Sequence, residues 1–297
     1  MLRMGMMSRR RKNPATARLR VAAVQMKFGP TICDNLIKIE RAIQLAARQN
    51  ADAILFPECA TTGYTCDFSA LSPKDLAEAH STLSCWAARH RLNVLIGSPA
   101  FCRGRLQNCL LVFDRRGQLV HRYAKCQLTA DDRRYFEPGN SVALFEIDGI
   151  TCTAIICHER RYPELVRLAT MAGAQIVFHP NAGLDSLAVS RRKRSGRDGI
   201  VARAFENAIY YVFANSVGPQ GGGRWSAGDS KIVAPDSTVL QLANNVGEDV
   251  LVANLDLSMA TRRYAMESMT TPRFLSGHWR RMVSAVQRQA SRPPGSP

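Results

Sequence analysis

Short apolar runs alternate with amphipathic stretches almost from one end of the chain to the other, and few folds accept that pattern. The runs cover residues 19–26, 53–57, 93–97, 110–113, 118–123, 150–156, 174–179, 209–215, 231–234, 238–242 and 250–257. Between them, Leu36, Ile39, Ile43 and Ala46 fall on one helical face, and Leu76, Ala79, Leu83 and Trp86 repeat the spacing. Pro163 and Glu164 read as the first turn of a third helix. Val201, Ala204, Phe205 and Ala208 mark a fourth. Asp114-Arg115-Arg116-Gly117 and Pro235-Asp236-Ser237 read as hairpin turns. Strand–helix alternation with hairpins predicts an α/β fold with mixed sheets. No linker-like composition interrupts residues 19–257, so one domain is expected over 19–287. Residues 1–18 read as a basic disordered tail, and residues 288–297 (RQASRPPGSP) as a second disordered tail.

The 297 residues carry 40 basic and 24 acidic side chains, a formal charge of +16. Arg3, Arg9, Arg10, Arg11, Lys12, Arg18 and Arg20 sit at the N-terminus, and Arg191-Arg192-Lys193-Arg194 form a second basic run. Neither run is interleaved with aromatics, and no zinc-finger or RNP-type spacing accompanies them, so no nucleic-acid partner is expected. No apolar run reaches the roughly 18 residues of a membrane span, and the N-terminus lacks a signal peptide's apolar stretch. A soluble, cytoplasmic protein is expected. The nine cysteines are irregularly spaced and odd in number, which argues against a disulfide framework. With no Cys-x-x-Cys pair and no His pair at ligand spacing, no metal is expected.

Three apolar runs end in a reactive side chain: Glu58, Lys125 and Cys157. In α/β sheets, ligands bind at the carboxyl ends of strands. A thiol of pKa near 8.5 needs a base or a cation to act as a nucleophile at neutral pH. Glu58 fits the base, for the thiol proton and later for water. Lys125 fits the fixed cation that stabilises thiolate and then an oxyanion. A backbone N–H just after Cys157 fits a second oxyanion donor. His158, if on a strand with Cys157, would point to the opposite face and line a pocket rather than activate the thiol. The Gly-rich stretch 218–223 lacks a P-loop's Gly-Lys-Ser/Thr, and Glu206 and Asn207 read as structural.

The words around these residues resemble the carbon–nitrogen hydrolase (nitrilase) superfamily. Phe56-Pro57-Glu58 with Thr62-Gly63-Tyr64 looks like its glutamate motif, and Tyr123-Ala124-Lys125 with Leu128 like its lysine motif. Cys157-His158-Glu159-Arg160-Arg161-Tyr162-Pro163-Glu164 resembles its nucleophile motif. Residues 202–207, 214–215 and 228–235 (GDSKIVAP) match later family segments, in family order. The resemblance implies a four-layer αββα sandwich with two mixed sheets, often dimerising through its helical layers, so a homodimer or higher homo-oligomer is expected. It implies a thioester mechanism without cofactor or metal, with Cys157 as nucleophile, Glu58 as general base and Lys125 as oxyanion stabiliser. Many members place a second glutamate three residues before a Tyr-Phe pair; here Asp132 precedes Tyr135-Phe136. Asp132 is expected to orient Lys125, with Glu137 as the weaker alternative.

The residues after the nucleophile look most like the N-carbamoyl amino acid hydrolases, in which paired arginines help bind a substrate carboxylate. Arg160 and Arg161 are therefore expected to bind substrate, with His158 nearby. The expected activity is hydrolysis of a linear amide or N-carbamoyl compound, with loss of ammonia or an amine. Two alternatives stand beside it: an acyltransferase or ammonia-supplying amidase using the same acyl-enzyme, and a non-catalytic basic binding protein on this scaffold.

Overall fold

Along strand β1 (Arg18–Gln25), Val21 and Ala23 enter one apolar layer while Ala22 and Val24 enter another. Such a strand needs cover on both faces, and the whole architecture follows from that demand. The computed structural model describes residues 18–64, 66–192 and 199–291, with only the backbone of 191 and 192. Residues 1–17 of the expected tail 1–18, the side chains of the second basic run, and residues 292–297 lie outside the described residues; Arg18, expected to end that tail, instead opens β1, paired with Asp256 of the strand Asp249–Asp256.

The first sheet holds β1, β2 (Ala53–Leu55), β3 (Asn93–Cys102), β4 (Arg105–Phe113), β5 (Leu119–Ala124) and β15 (Asp249–Asp256), in the order β15-β1-β2-β3-β4-β5. The second holds β6 (Phe145–Ile147), β7 (Ile150–Ala154), β8 (Ile176–Asn181), β10 (Tyr210–Asn215), β13 (Lys231–Val233) and β14 (Val239–Leu242), in the order β14-β13-β10-β8-β7-β6. Both mix parallel and antiparallel pairs. Both expected hairpins form, joining β4 to β5 and β13 to β14. Three short strands, β9 (Asp185–Ser186), β11 (Val217–Pro219) and β12 (Arg224–Ala227), make a small sheet beside them.

The two large sheets pack face to face. Val21, Leu55, Leu95, Leu110 and Val112 meet Phe145, Ala154, Phe178, Tyr210, Val212 and Ile232 in one continuous apolar core. Helices α1 (Ile32–Arg48) and α2 (Pro73–His90) cover the outer face of the first sheet through Ile39, Ile43, Ala46, Leu83 and Ala87. Their starts are set locally. Thr31 accepts a hydrogen bond from Asp34 N, and Ser72, followed by Pro73, accepts one from Asp75 N. On the far side, α3 (Pro163–Met171) and α5 (Ile200–Asn207) cover the second sheet with Val166, Ile200 and Ala204. The layers are helix, sheet, sheet, helix: a four-layer αββα sandwich.

The structure corrects the sequence reading in two further places. Phe205, expected on the buried face of α5, is 52% exposed, because Ile200 and Ala204 make that face instead. The final helix, after α4 (Leu187–Arg192) and α6 (Arg263–Ser268), is α7 (Arg273–Ala290). It runs past the expected domain end at 287, since Val286 packs against Leu144, Leu168 and Ala169. No described helix is long and apolar enough to cross a membrane.

Candidate active site

Glu58, Lys125 and Cys157 each lie just beyond the end of a strand, and the sandwich brings the three ends together. Glu58 follows β2 in a tight turn where Cys59 has φ +50° and Gly63 N donates to Cys59 O at 2.6 Å. This turn presses on Gly97 of β3. A Cβ there would stand 2.5 Å from Glu58 Cα and 2.7 Å from Cys59 N. Only glycine lets the two backbones approach that closely. Lys125 follows β5, its N–H donating to Asn108 O at 2.8 Å and its carbonyl accepting from Gly139 N at 2.9 Å. Cys157 opens a 3-10 turn, Cys157–Arg161, with φ +51°. Cys157 is thus on a sharp strand-to-turn bend and not on a strand.

The Lys125 ammonium is buried between two carboxylates, donating to Glu58 Oε1 at 2.7 Å and to Asp132 Oδ2 at 2.8 Å. Asn108 Nδ2 holds the same Glu58 oxygen at 2.8 Å. Thr129 N holds Asp132 Oδ2 at 3.0 Å. Aspartate, one methylene shorter than glutamate, thus reaches the lysine directly from a 3-10 turn, Asp132–Arg134. Glu137, the alternative, pairs with Arg105 at the surface, 2.6 Å away.

Burial alone would strip Lys125 of its charge. Glu58, Cys157 and Asp132 outweigh that cost and hold its pKa well above the ordinary lysine value. The opposite balance holds at Cys157. Burial, then the Glu58 charge, push its thiol up to about 12, and Lys125 and Arg160 offset this only in part. The resting group is a neutral thiol that shares its cavity with the Glu58 carboxylate.

A cavity of about 390 Å³ opens above this trio. Tyr64, Phe68, Tyr135 and Phe136 form an aromatic wall, with Phe68 in ring contact with the other three. His158, Arg160 and Arg161 line the cavity as expected, together with Arg134 and Arg224. Arg224 pairs with Asp131 at 3.0 Å. No described carboxylate lies within ion-pair distance of Arg160 or Arg161. His158 stands edge-on to Tyr162 at 5.7 Å. Burial, Arg161 and Lys125 lower its pKa, so it is neutral at pH 7.

The family model for carbon-nitrogen hydrolases matches residues 20–264. The chain belongs to the carbon–nitrogen hydrolase family. Among curated relatives of this hydrolase, a 2-oxoglutaramate amidase of Bacillus subtilis is 28% identical over 228 residues, covering 75% of this chain and 85% of that protein. An omega-amidase of Xenopus tropicalis is 27% identical, covering 81% and 90%. A solved mutant amidase from Nesterenkonia sp. AN1, with acrylamide added to its active-site cysteine, superposes with a TM-score of 0.75 at 25% identity. That match covers 88% of this hydrolase and 99% of the amidase.

Several groups around the site escaped the sequence reading. Asn108 sits inside a strand, and nothing in its neighbours marks it as a partner of Glu58. Glu159 reads as part of a substrate-binding run, yet it is 0% exposed and faces the protein interior. His179 of β8 meets Cys157 O through Nε2 at 3.1 Å and Tyr211 OH through Nδ1 at 3.0 Å. The carbonyl requires the proton on Nε2, so Tyr211 donates to Nδ1. Burial, then Arg160, keep this imidazole neutral.

Gly97→Ala tests how finely Glu58 is placed. The added methyl forces the Glu58 turn outward, and turnover is expected to fall about a hundredfold, the cost of a displacement near 1 Å. A folded Gly97→Ala protein with wild-type turnover would show that the close approach has no bearing on the reaction.

Proposed function

We propose that this hydrolase is an amidase acting on small linear amides that carry a carboxylate, N-carbamoyl amino acids included, through a thioester on Cys157. The observation that carries this reading is that Cys157 lines one cavity with Glu58 and Lys125, whose ammonium stands 2.7 Å from the Glu58 carboxylate. Glu58 takes the thiol proton as sulfur attacks the amide carbon. The resulting oxyanion is held by Lys125 and the His158 backbone N–H. Glu58 returns the proton to the departing nitrogen, the C–N bond breaks, and ammonia or an amine leaves. Water then enters, gives a proton to Glu58 and attacks the thioester. Collapse of the second intermediate frees the acid and returns the proton to sulfur. Asp132 keeps Lys125 charged and aimed throughout.

Support for a carboxylate on the substrate comes from Arg160 and Arg161, two cavity-lining guanidiniums without a described acidic partner. A guanidinium fork matches a carboxylate in two parallel hydrogen bonds. In a 3-10 turn, side chains three apart eclipse. Arg160 therefore falls on the face of Cys157, and Arg161 on that of His158. The compound named for the Bacillus relative is likewise an amide bearing a carboxylate.

Ammonia release from N-carbamoyl amino acids, ω-amides of dicarboxylates, simple amides and nitriles tests the reading. Turnover is expected for the carboxylated amides or carbamoyl compounds. In Arg161→Ala, KM for these is expected to rise about tenfold or more, the loss of one charge-assisted pair, while any neutral amide is unaffected. Equal effects on charged and neutral amides would remove the carboxylate from the proposal.

A further inference from the structure

The reacting groups come from different sheets. Lys125 follows β5 of the first, and Cys157 follows β7 of the second. Apolar packing between sheets is not directional, so on its own it fixes a lysine–thiol separation loosely. One buried carboxylate bridges the gap. Glu159 Oε1 accepts from Cys126 N at 2.6 Å and Gln127 N at 3.1 Å, both just after Lys125. Its Oε2 accepts at 2.7 Å from Ile156 N, just before Cys157. Tyr123 OH, two residues before Lys125, donates at 2.9 Å to both oxygens.

The groups that hold this carboxylate are three backbone N–H donors and the Tyr123 phenol, which donates to it. Burial raises the Glu159 pKa, and hydrogen bonds from Ile156, Gln127, Cys126 and Tyr123 oppose it. An N–H cannot accept a proton, so the three backbone donors favour the carboxylate. Glu159 does not line the cavity, which rules out a part in substrate contact. Its bonds also anchor the bend at Cys157, where a side chain at φ +51° resists the left-handed conformation.

We propose that Glu159 is a positioning residue, whose carboxylate sets the spacing between the Lys125 ammonium and the Cys157 thiol across the interface of the two sheets. The proposal rests on Lys125 and Cys157 being the reacting pair, which Cys157→Ala tests separately.

The full chain is tested as Glu159→Gln and as Tyr123→Phe. Glutamine keeps the size but turns an NH2 group toward donors, and kcat is expected to fall about a hundredfold with KM within about threefold. Tyr123→Phe leaves the three N–H donors and removes one hydrogen bond, and kcat is expected to fall about fivefold with KM unchanged. In both, alkylation of Cys157 by iodoacetamide should slow in step with kcat, although far-UV dichroism and the melting transition report a folded chain. A general loss of fold would scale the active fraction without changing the pH profile of alkylation; loss of spacing shifts it. Should Glu159→Gln fail to fold, Tyr123→Phe decides alone. Wild-type kcat in folded Tyr123→Phe, or in folded Glu159→Gln, would overturn the proposal, as would a loss confined to KM.

Discussion

Lys125→Met is expected to lower turnover by a factor of about 10³ or more and to remove about 3–5 kcal/mol of stability, the usual cost of breaking a buried ion pair from one side. Glu58 is 1% exposed and Asp132 5%, and both direct an oxygen at the same ammonium. Without it, two carboxylates face each other in a dry site, and one of them must take up a proton. Its folded pKa then stands above its unfolded value near 4. A group shifted in that direction favours the folded state while protonated and loses that advantage as pH rises. The variant's deficit should therefore be largest near pH 7 and shrink as pH approaches 4. Urea unfolding at pH 7 and pH 5 measures this, and equal stability of variant and wild type at pH 7 would contradict it. Turnover falls for two reasons: an oxyanion donor is gone, worth about 10²–10³ in rate, and Glu58 loses the contact that aims it.

Cys157→Ala is expected to give the larger loss of rate, about a millionfold, the scale seen when a nucleophile is deleted from a set of groups that act together. Binding of the amide should persist, because the arginines and the aromatic wall are untouched. The thiol has its own pH signature. With a pKa pushed up to about 12 by burial and Glu58, it stays protonated through the neutral range. Its alkylation by iodoacetamide should keep rising past pH 8.5, where an ordinary cysteine levels off. A plateau below pH 8 would mean a preformed thiolate and a different role for Glu58. The same shift lowers stability in alkali. Between the ordinary thiol value and 12 the unfolded chain releases a proton that the folded chain retains, so unfolding gains as pH rises.

How much of this was legible in the sequence depended on the range of the interaction. Strands buried on both faces show as apolar runs, and all eleven runs became strands with shifted ends. The hairpin turns carried their own residues, and Pro163 opened α3 because proline suits a first helical turn. Glu58, Lys125 and Cys157 stood out because a charged or nucleophilic residue ending an apolar run is locally odd. Asp132 was legible only by its distance from Tyr135 and Phe136. Its direct contact with Lys125 was not, since that depends on how the intervening segment folds back on the lysine. Asn108, Glu159 and His179 were hidden for a shared reason: each acts on a partner remote in sequence, at a separation no local pattern encodes. Gly97 was likewise silent, because its need to be glycine comes from the Glu58 turn thirty-nine residues earlier. The final helix was missed because only spaced residues such as Trp279, Val283 and Val286 face the protein.

The central claim is that an acyl group passes through the sulfur of Cys157, and the mass of the protein itself tests it. A Glu58→Gln enzyme should form the thioester slowly and hydrolyse it more slowly still, because the base that activates water is gone. Incubated with a turned-over amide and quenched in acid, it is expected to gain the mass of the acyl group on the peptide containing Cys157, and on no other peptide. Ammonia release without that adduct, together with turnover surviving in Cys157→Ala, would mean that the reaction does not run through this thiol.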